Sequence, residues 1–467
     1  MNLEKRASMS IDKQAVHPVT LPSGVTGITG VVSRRLRITA IAICLAAVAA
    51  GIAAKRGGWV QPGDPVSRFL IAVTVALAIC HLGGFAASRV GQPGVVGELF
   101  GAIAVGPSLL GLVWPSGQSW VFAPAVVRSL SMVAQLGLAL FMFLLGCDLR
   151  TRDGASRPGR VTAVIAGAMG IPFCVGIAAA ALTQHFMAGR AGTAGYLLFT
   201  GLALSITAVP VLARILGDLN IEHTRIGTLA LASAAIGDGV VWVTVALVLI
   251  VVGTGGGPWE IVAHATAAGF LGIAVLAARP MLGWIVRRLD GRADRLAVPA
   301  LTAGAIGFAA LTELIGLHPV IGAFLFGAIL PRDVPIVATL SASLRGFTVT
   351  ILLPLFFVSV GLSTSVLLLG SSASRWGVFG LFLATAIAAK FAGAAGGGRL
   401  AGLRGRDLGR LGALMNCRGV TELIVISIGY ESHMISGFAL TVFVLIALLT
   451  TLAATPLVRW FGLPQDQ

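Results

Sequence analysis

Fourteen apolar runs, most of them close to the roughly 20 residues a helix needs to cross a bilayer, follow one another from Ile38 to Leu457 with short connections between them. Such a chain reads as an all-α polytopic membrane protein, because backbone polar groups in hydrocarbon must be satisfied inside each helix. Of its 467 residues 57% are hydrophobic, 11% are charged and 61 are glycine, which no ordinary soluble domain matches. No stretch between the runs is long enough for a folded soluble domain, so an appended ATP-hydrolysing module is not expected and any transport must run on a gradient.

The net charge of +15 would suggest nucleic acid in a soluble protein. Here the basic residues sit between runs and set orientation instead. Arg150, Arg152, Arg157 and Arg160 follow the fourth run, Arg287, Arg288, Arg292 and Arg295 the eighth, and Arg399, Arg404, Arg406 and Arg410 the twelfth. All three connections follow even-numbered runs, which puts them on the side of both termini. That side is expected to be cytoplasmic, with 114–124 and 253–258 outward; Lys55 and Arg56 go against this. Cys44, Cys80, Cys147, Cys174 and Cys417 have neither metal-site spacing nor paired outer positions and read as buried free thiols. Arg34 and Arg35 look like a twin-arginine signal, but a first run followed by thirteen more anchors itself in the membrane.

Two stretches look alike, Gln92-Pro93 to Ile103 and His318-Pro319 to Ile329, and a second pair, Leu140 to Gly146 and Leu355 to Gly361, keeps the same order. The expected organisation is a basic tail over 1–36, an extra N-terminal helix over 37–56, a six-helix repeat over 66–253, a linker helix over 260–287 and a second six-helix repeat over 294–459. A single linker span forces the second repeat to run inverted, the arrangement of secondary transporters whose sites lie where helices are interrupted.

Asp238 is the carboxylate in the middle of the run Ile226 to Val252. A charge there costs at least ~3 kcal/mol and persists where it faces a cavity and a partner. In Gly195 to Leu216, Pro210 follows Ser205 and Thr207, so freed carbonyls and a hydroxyl can replace a cation's water shell. The corresponding run, Leu408 to Ile428, carries Asn416, Arg418, Thr421 and Glu422; Arg418 and Glu422, four apart, also read as an intrahelical ion pair. Lys390 lies mid-run, too central to snorkel, and calls for a partner, Asp238 first among them. Glu98, Glu313 and Asp148 lie near run ends, where solvation or capping explains them, and His81 reads as a hydrogen-bonded packing residue.

These residues resemble the second monovalent cation:proton antiporter family. The resemblance is carried by Gly201 to Leu216 with Ala234 to Asp238, by Gln92-Pro93 to Glu98, by Gly106-Pro107-Ser108, by Leu353 to Leu362 and by Arg418 to Leu423, and it covers about 69–457. It implies an inverted-repeat, sodium/proton-antiporter-like fold with crossed discontinuous helices and a dimerisation domain, hence a homodimer in membrane lipid. It also implies a non-enzymatic antiporter exchanging protons for Na+ or K+, with no cofactor beyond the transported ions. Carried over, Asp238 is the ion- and proton-binding aspartate, Thr207 and Ser205 lie in the first helix break beside it, and Lys390 is the core lysine, with Arg418 and Glu422 supporting. The cation is expected on Asp238 and Thr207. The departure is Gly237, where similar proteins carry Asp, Asn or Gln, one of which pairs with the lysine. Lys390 must therefore find Asp238, a water or a carbonyl. A channel, an intramembrane hydrolase and a transport-inactive regulatory relative remain as rival readings; no HExxH, aspartate pair or deep Ser-His arrangement supports the hydrolase, and the glycines from Gly393 to Gly398 suit helix packing rather than a phosphate cradle.

Overall fold

The computed structural model describes residues 65–148, 158–253, 266, 279–284, 286–287, 294–314, 318–331 and 334–463. The expected basic tail, the extra N-terminal helix and most of the linker helix lie outside these residues, as do Cys44, Lys55, Arg56 and most arginines of the first two basic connections. Among the described residues eight helices are long and apolar enough to cross a membrane, or nine if one bent pair counts as a span.

The helices are α1 (Pro65–Arg89), α2 (Gly94–Val105), α3 (Pro124–Asp148), α4 (Pro158–Met187), α5 (Thr193–Ser205), α6 (Val209–Asp218) and α7 (Arg225–Gly253). After the linker come α8 (Asp294–Leu314), α9 (Pro319–Ile329), α10 (Pro335–Leu368), α11 (Ala373–Leu400), α12 (Arg406–Met415), α13 (Val420–Glu431) and α14 (Gly437–Trp460). α2 and α9, the look-alike segments, both begin at a proline that fixes φ where no amide donor is needed, Pro93 as cap and Pro319 in the first turn. Two of the expected runs are broken. α5 stops at Ser205, three residues follow in largely extended backbone, and α6 restarts with a proline in its first turn. α12 stops at Met415 and α13 restarts at Val420, bent by 48°.

Two bundles result. α1, α2, α3, α8, α9 and α10 pack together, and α4, α5, α7, α11, α12 and α14 form the second, with α6 and α13 at the boundary. Lipid supplies no hydrophobic drive between helices, so close backbone approach does the work. In the second bundle Gly393 and Gly397 of α11 lie against the backbone of Gly167 and Ala163 of α4, so closely that a Cβ at Gly393 would overlap the Gly167 carbonyl. The glycines after Gly393 are thus a packing surface, and the π turn at Ala166–Gly170 sits on it. The contact also runs α4 and α11 antiparallel, which places the start of α4 with Arg160 and the end of α11 with Arg399 on one face.

One sequence expectation is corrected. Cys80 and Cys417 are buried free thiols, Cys147 is half-buried, and Cys174 is exposed on the apolar outer surface, where a thiol needs no partner. His81 packs as expected, its Nε2 2.9 Å from the Thr350 carbonyl.

Gly393→Leu is expected to lower the unfolding temperature of the detergent-solubilised protein, since overpacking costs about 1–3 kcal/mol or more where backbone cannot yield. Gly396→Leu, whose Cβ would meet open space, should leave it unchanged; equal effects in a fluorescence-detected melt would refute the packing role.

Candidate functional site: two crossed helix breaks

A helix that stops inside a membrane leaves carbonyls at one end and N–H groups at the other without partners. The two breaks satisfy each other. The Ala208 amide donates to the Cys417 carbonyl at 3.0 Å, and the Thr207 hydroxyl donates to the Met415 carbonyl at 2.8 Å. Two cations close the carbonyl end of α5. Arg418 donates to the carbonyls of Ala203 and Leu204 at 3.0 and 2.9 Å, and Lys390 to that of Ser205 at 2.5 Å. Positive charge at a helix C-terminus is favoured by the helix dipole as well as by the hydrogen bonds. Arg418 also pairs with Glu422 at 2.5 Å, both fully buried, so the intrahelical ion pair read from the sequence exists and lies within the site.

Lys390 has three N–H donors. They go to the Ser205 carbonyl, to Thr207 Oγ1 at 2.9 Å and to the Ala168 carbonyl at 3.0 Å. Asp238 lies within electrostatic reach but is not among these acceptors. Of the partners open to Lys390 in the sequence, a carbonyl is the one taken. Ala168 belongs to the π turn of α4, where the altered register turns carbonyls away from the regular ladder. Its neighbour Met169 lies against Gly237, with Sδ 3.1 Å from where a Cβ would stand.

Asp238, on α7 and 4% exposed, accepts a hydrogen bond from the Val209 amide in the first turn of α6, and its Oδ2 has no hydrogen-bond partner. It therefore sits at the positive end of one half-helix, while Lys390 and Arg418 hold the negative end of the other. A cavity of about 730 Å³ runs to it from the exposed Arg214 and Arg345, past Glu98, Phe141 and Val420. The structure thus gathers Ser205, Thr207, Asp238, Lys390, Arg418 and Glu422. Their roles differ: the Ser205 hydroxyl donates to Leu202 inside its own helix, and its carbonyl is what reaches the lysine.

Two residues take a place in the structure that the sequence did not assign them. Glu98, read there as a span-end residue, is half-buried on α2 in the same cavity as Asp238, and α2 has no side-chain cap. Asn416, in the second break, is buried with neither side-chain polar atom hydrogen-bonded; an amide inside an apolar run was the available signal.

Residues 72–462 match the family described as sodium/hydrogen exchanger, transmembrane. The solved sodium proton antiporter MjNhaP1 from Methanocaldococcus jannaschii superposes with a TM-score of 0.64 at 13% identity, over 85% of this chain and 98% of that one. The Na(+)/H(+) antiporter NhaS4 of Synechocystis is 34% identical over 396 residues, 83% of this chain and 95% of that protein. Cation/H(+) antiporter 20 of Arabidopsis thaliana is 34% identical over 386 residues, 79% of this chain and 45% of that protein. This chain spans about half the length of the plant relatives it matches. A polytopic helical membrane-protein fold is what the chain shares with that solved structure. The chain belongs to the sodium/hydrogen exchanger family, within its monovalent cation:proton antiporters.

Lys390→Met keeps length but strands buried acceptors, each worth about 1–3 kcal/mol when left unpaired. The variant is expected to unfold at a markedly lower temperature in detergent, whereas Asp238→Asn, which leaves the crossing intact, should melt within a few degrees of the parent.

Proposed function

We propose that this chain is a gradient-driven antiporter exchanging protons for Na+ or K+ across the cytoplasmic membrane, with Asp238 as the one carboxylate that binds either ion. The observation that carries the reading is the geometry of Asp238: it is fixed by the α6 amide terminus, and it lines a cavity that reaches charged, exposed residues. An ionised carboxylate sheds its water only when neutralised, so Asp238 enters a sealed interface with a proton or a cation bound and not when empty. In this reading Thr207 and the backbone of the first break supply further oxygen ligands, with Ser205, Lys390, Arg418 and Glu422 supporting.

Exchange is one for one and electroneutral in this reading. Lys390 donates all three of its hydrogens to oxygen acceptors, so losing a proton would turn a nitrogen lone pair toward one of them. A permanently charged ammonium keeps all three donations. Residues 66–253 and 294–459 act as inverted repeats, a reading supported by the matched starts of α2 and α9, by one break in each, and by reciprocal packing of α2 on α10 and α9 on α3. The cavity lies toward the end of α3 and the start of α4, the face that also carries Arg160 and Arg399, so by the bias of basic residues it opens to the cytoplasm with both termini on that side. A homodimer pairing through the first bundle, as the family resemblance implies, completes the proposal.

The decisive experiment is dissipation of an imposed pH gradient in proteoliposomes on adding Na+, K+ or Li+. Asp238→Asn is expected to abolish cation-dependent proton flux while remaining folded; retained flux would remove Asp238 from the site, and cation flux without proton movement would make the protein a channel. A second expectation concerns stoichiometry. Clamping the membrane potential at different values, with ion and pH gradients fixed, should leave the equilibrium position of exchange unchanged, and a shift would make Lys390 a second proton carrier.

A further inference from the structure

Position 98 is where the two look-alike segments part company. Pro93, Phe100 and Gly101 of α2 correspond to Pro319, Phe326 and Gly327 of α9, and in that register Glu98 corresponds to Phe324. Phe324 is buried, its ring centroid 6.2 Å from that of Trp242, so the fold fills this position with an apolar side chain where packing decides. Both residues line the cavity that reaches Asp238. A carboxylate at position 98 therefore has no packing reason. Nor does it serve the end of its helix, because Glu98 is the fifth residue of α2, beyond the first turn in which the amide terminus favours an acid. Even so, α1 makes room for it. A Cβ on the buried Gly84 would stand 3.0 Å from Glu98 Cγ and 3.2 Å from its Oε1, so the side chain is seated against a glycine.

Charge supplies the reason. Among the described residues that line the cavity, the charged ones are Asp238, Glu98 and the exposed Arg214 and Arg345. Arg214, on the helix whose first amides hold Asp238, lies within electrostatic reach of Glu98. A cleft with low-dielectric walls and one sign of charge raises the local concentration of counter-ions by about 10- to 1,000-fold, and the same field disfavours ions of its own sign. With Glu98 present the two signs balance. Without it the arginines outnumber the acids two to one, and a carboxylate that takes up cations stands behind a positive mouth.

We propose that Glu98 sets the potential of the cavity: it offsets Arg214 and Arg345, admits monovalent cations to Asp238, and so determines apparent cation affinity without itself holding the transported ion. It rests on the exchange reading above. Glu98 acts on the ion through the field it contributes, so its effect belongs to the cation KM on the cavity side and not to turnover. Position 324, its counterpart in the second repeat, carries no charge and makes no such contribution.

The potential is read directly by a reaction that does not depend on transport. Val95→Cys places a thiol on the same helix in the same cavity. The full chain carrying it, in lipid nanodiscs, is treated with a methanethiosulfonate bearing either a trimethylammonium or a sulfonate group, and modification at position 95 is followed by peptide mass spectrometry. The ratio of the cationic to the anionic rate is expected to fall about tenfold when Glu98→Gln is added, since Gln keeps the shape and removes the charge. Glu98→Asp should hold the ratio near that of the parent, and Arg214→Gln combined with Glu98→Gln should restore it. An unchanged ratio with Glu98→Gln, or no recovery with Arg214→Gln, would overturn the proposal. In proteoliposomes Glu98→Gln should raise the cation KM on the cavity side by a similar factor and leave turnover at saturating cation nearly unchanged, with Arg214→Gln again reversing the effect. Loss of turnover that Arg214→Gln does not reverse would make Glu98 an ion ligand or a proton carrier and refute a role through the field alone. A parent protein that exchanges no ions would strike the exchange reading, while the reagent ratio still decides what Glu98 does to the cavity.

Discussion

The site depends on how the broken end of α5 is satisfied. A helix terminating in hydrocarbon presents unpaired carbonyls, and Arg418 with Lys390 supplies the donors and the opposing charge together. Once those two cations are in place, Glu422 has a partner, Thr207 has a defined rotamer, and the second break can cross the first. Asp238 is then left as the buried carboxylate to which neither cation donates. The charges that hold the crossing and the charge proposed to bind ions are separate residues, so the scaffold need not come apart when Asp238 changes state.

Much of this was legible in the sequence. Apolar run lengths, Pro210 after two hydroxyl residues and the cluster from Asn416 to Glu422 mark the two breaks, because each contradicts an uninterrupted span. Asp238 and Lys390 stand out for the same reason: charge at depth is costly enough to need a cause. The partner of Lys390 was not legible. A main-chain acceptor has no residue type to announce it, and Ala168 gains that role only through the π turn and the glycine contact that set α4 against α11. Glu98 was missed because distance from a span end says nothing about which side of the helix faces water.

The boundary between bundles carries a division of labour along one set of helices. Glu98 lines the cavity at one end, Ser131, Ser359, Ser427 and Glu431 line a second at the other, and the buried Leu138 and Ile424 lie between. An apolar middle is a barrier to a charge in either direction unless it is neutralised, the condition that Asp238 meets in the proposed exchange only with a proton or a cation bound.

Anchoring Lys390 to the peptide backbone has an evolutionary side. A lysine paired with a side chain can lose its partner by a single substitution, whereas the Ala168 and Ser205 carbonyls survive any change of residue that preserves the local fold. Position 237 is thereby released from any duty to the lysine, and Met169 occupies the space beside it. Drift at that position is then limited by volume rather than by charge, and a lineage can lose an acidic residue there without losing the pairing on which the crossing is built.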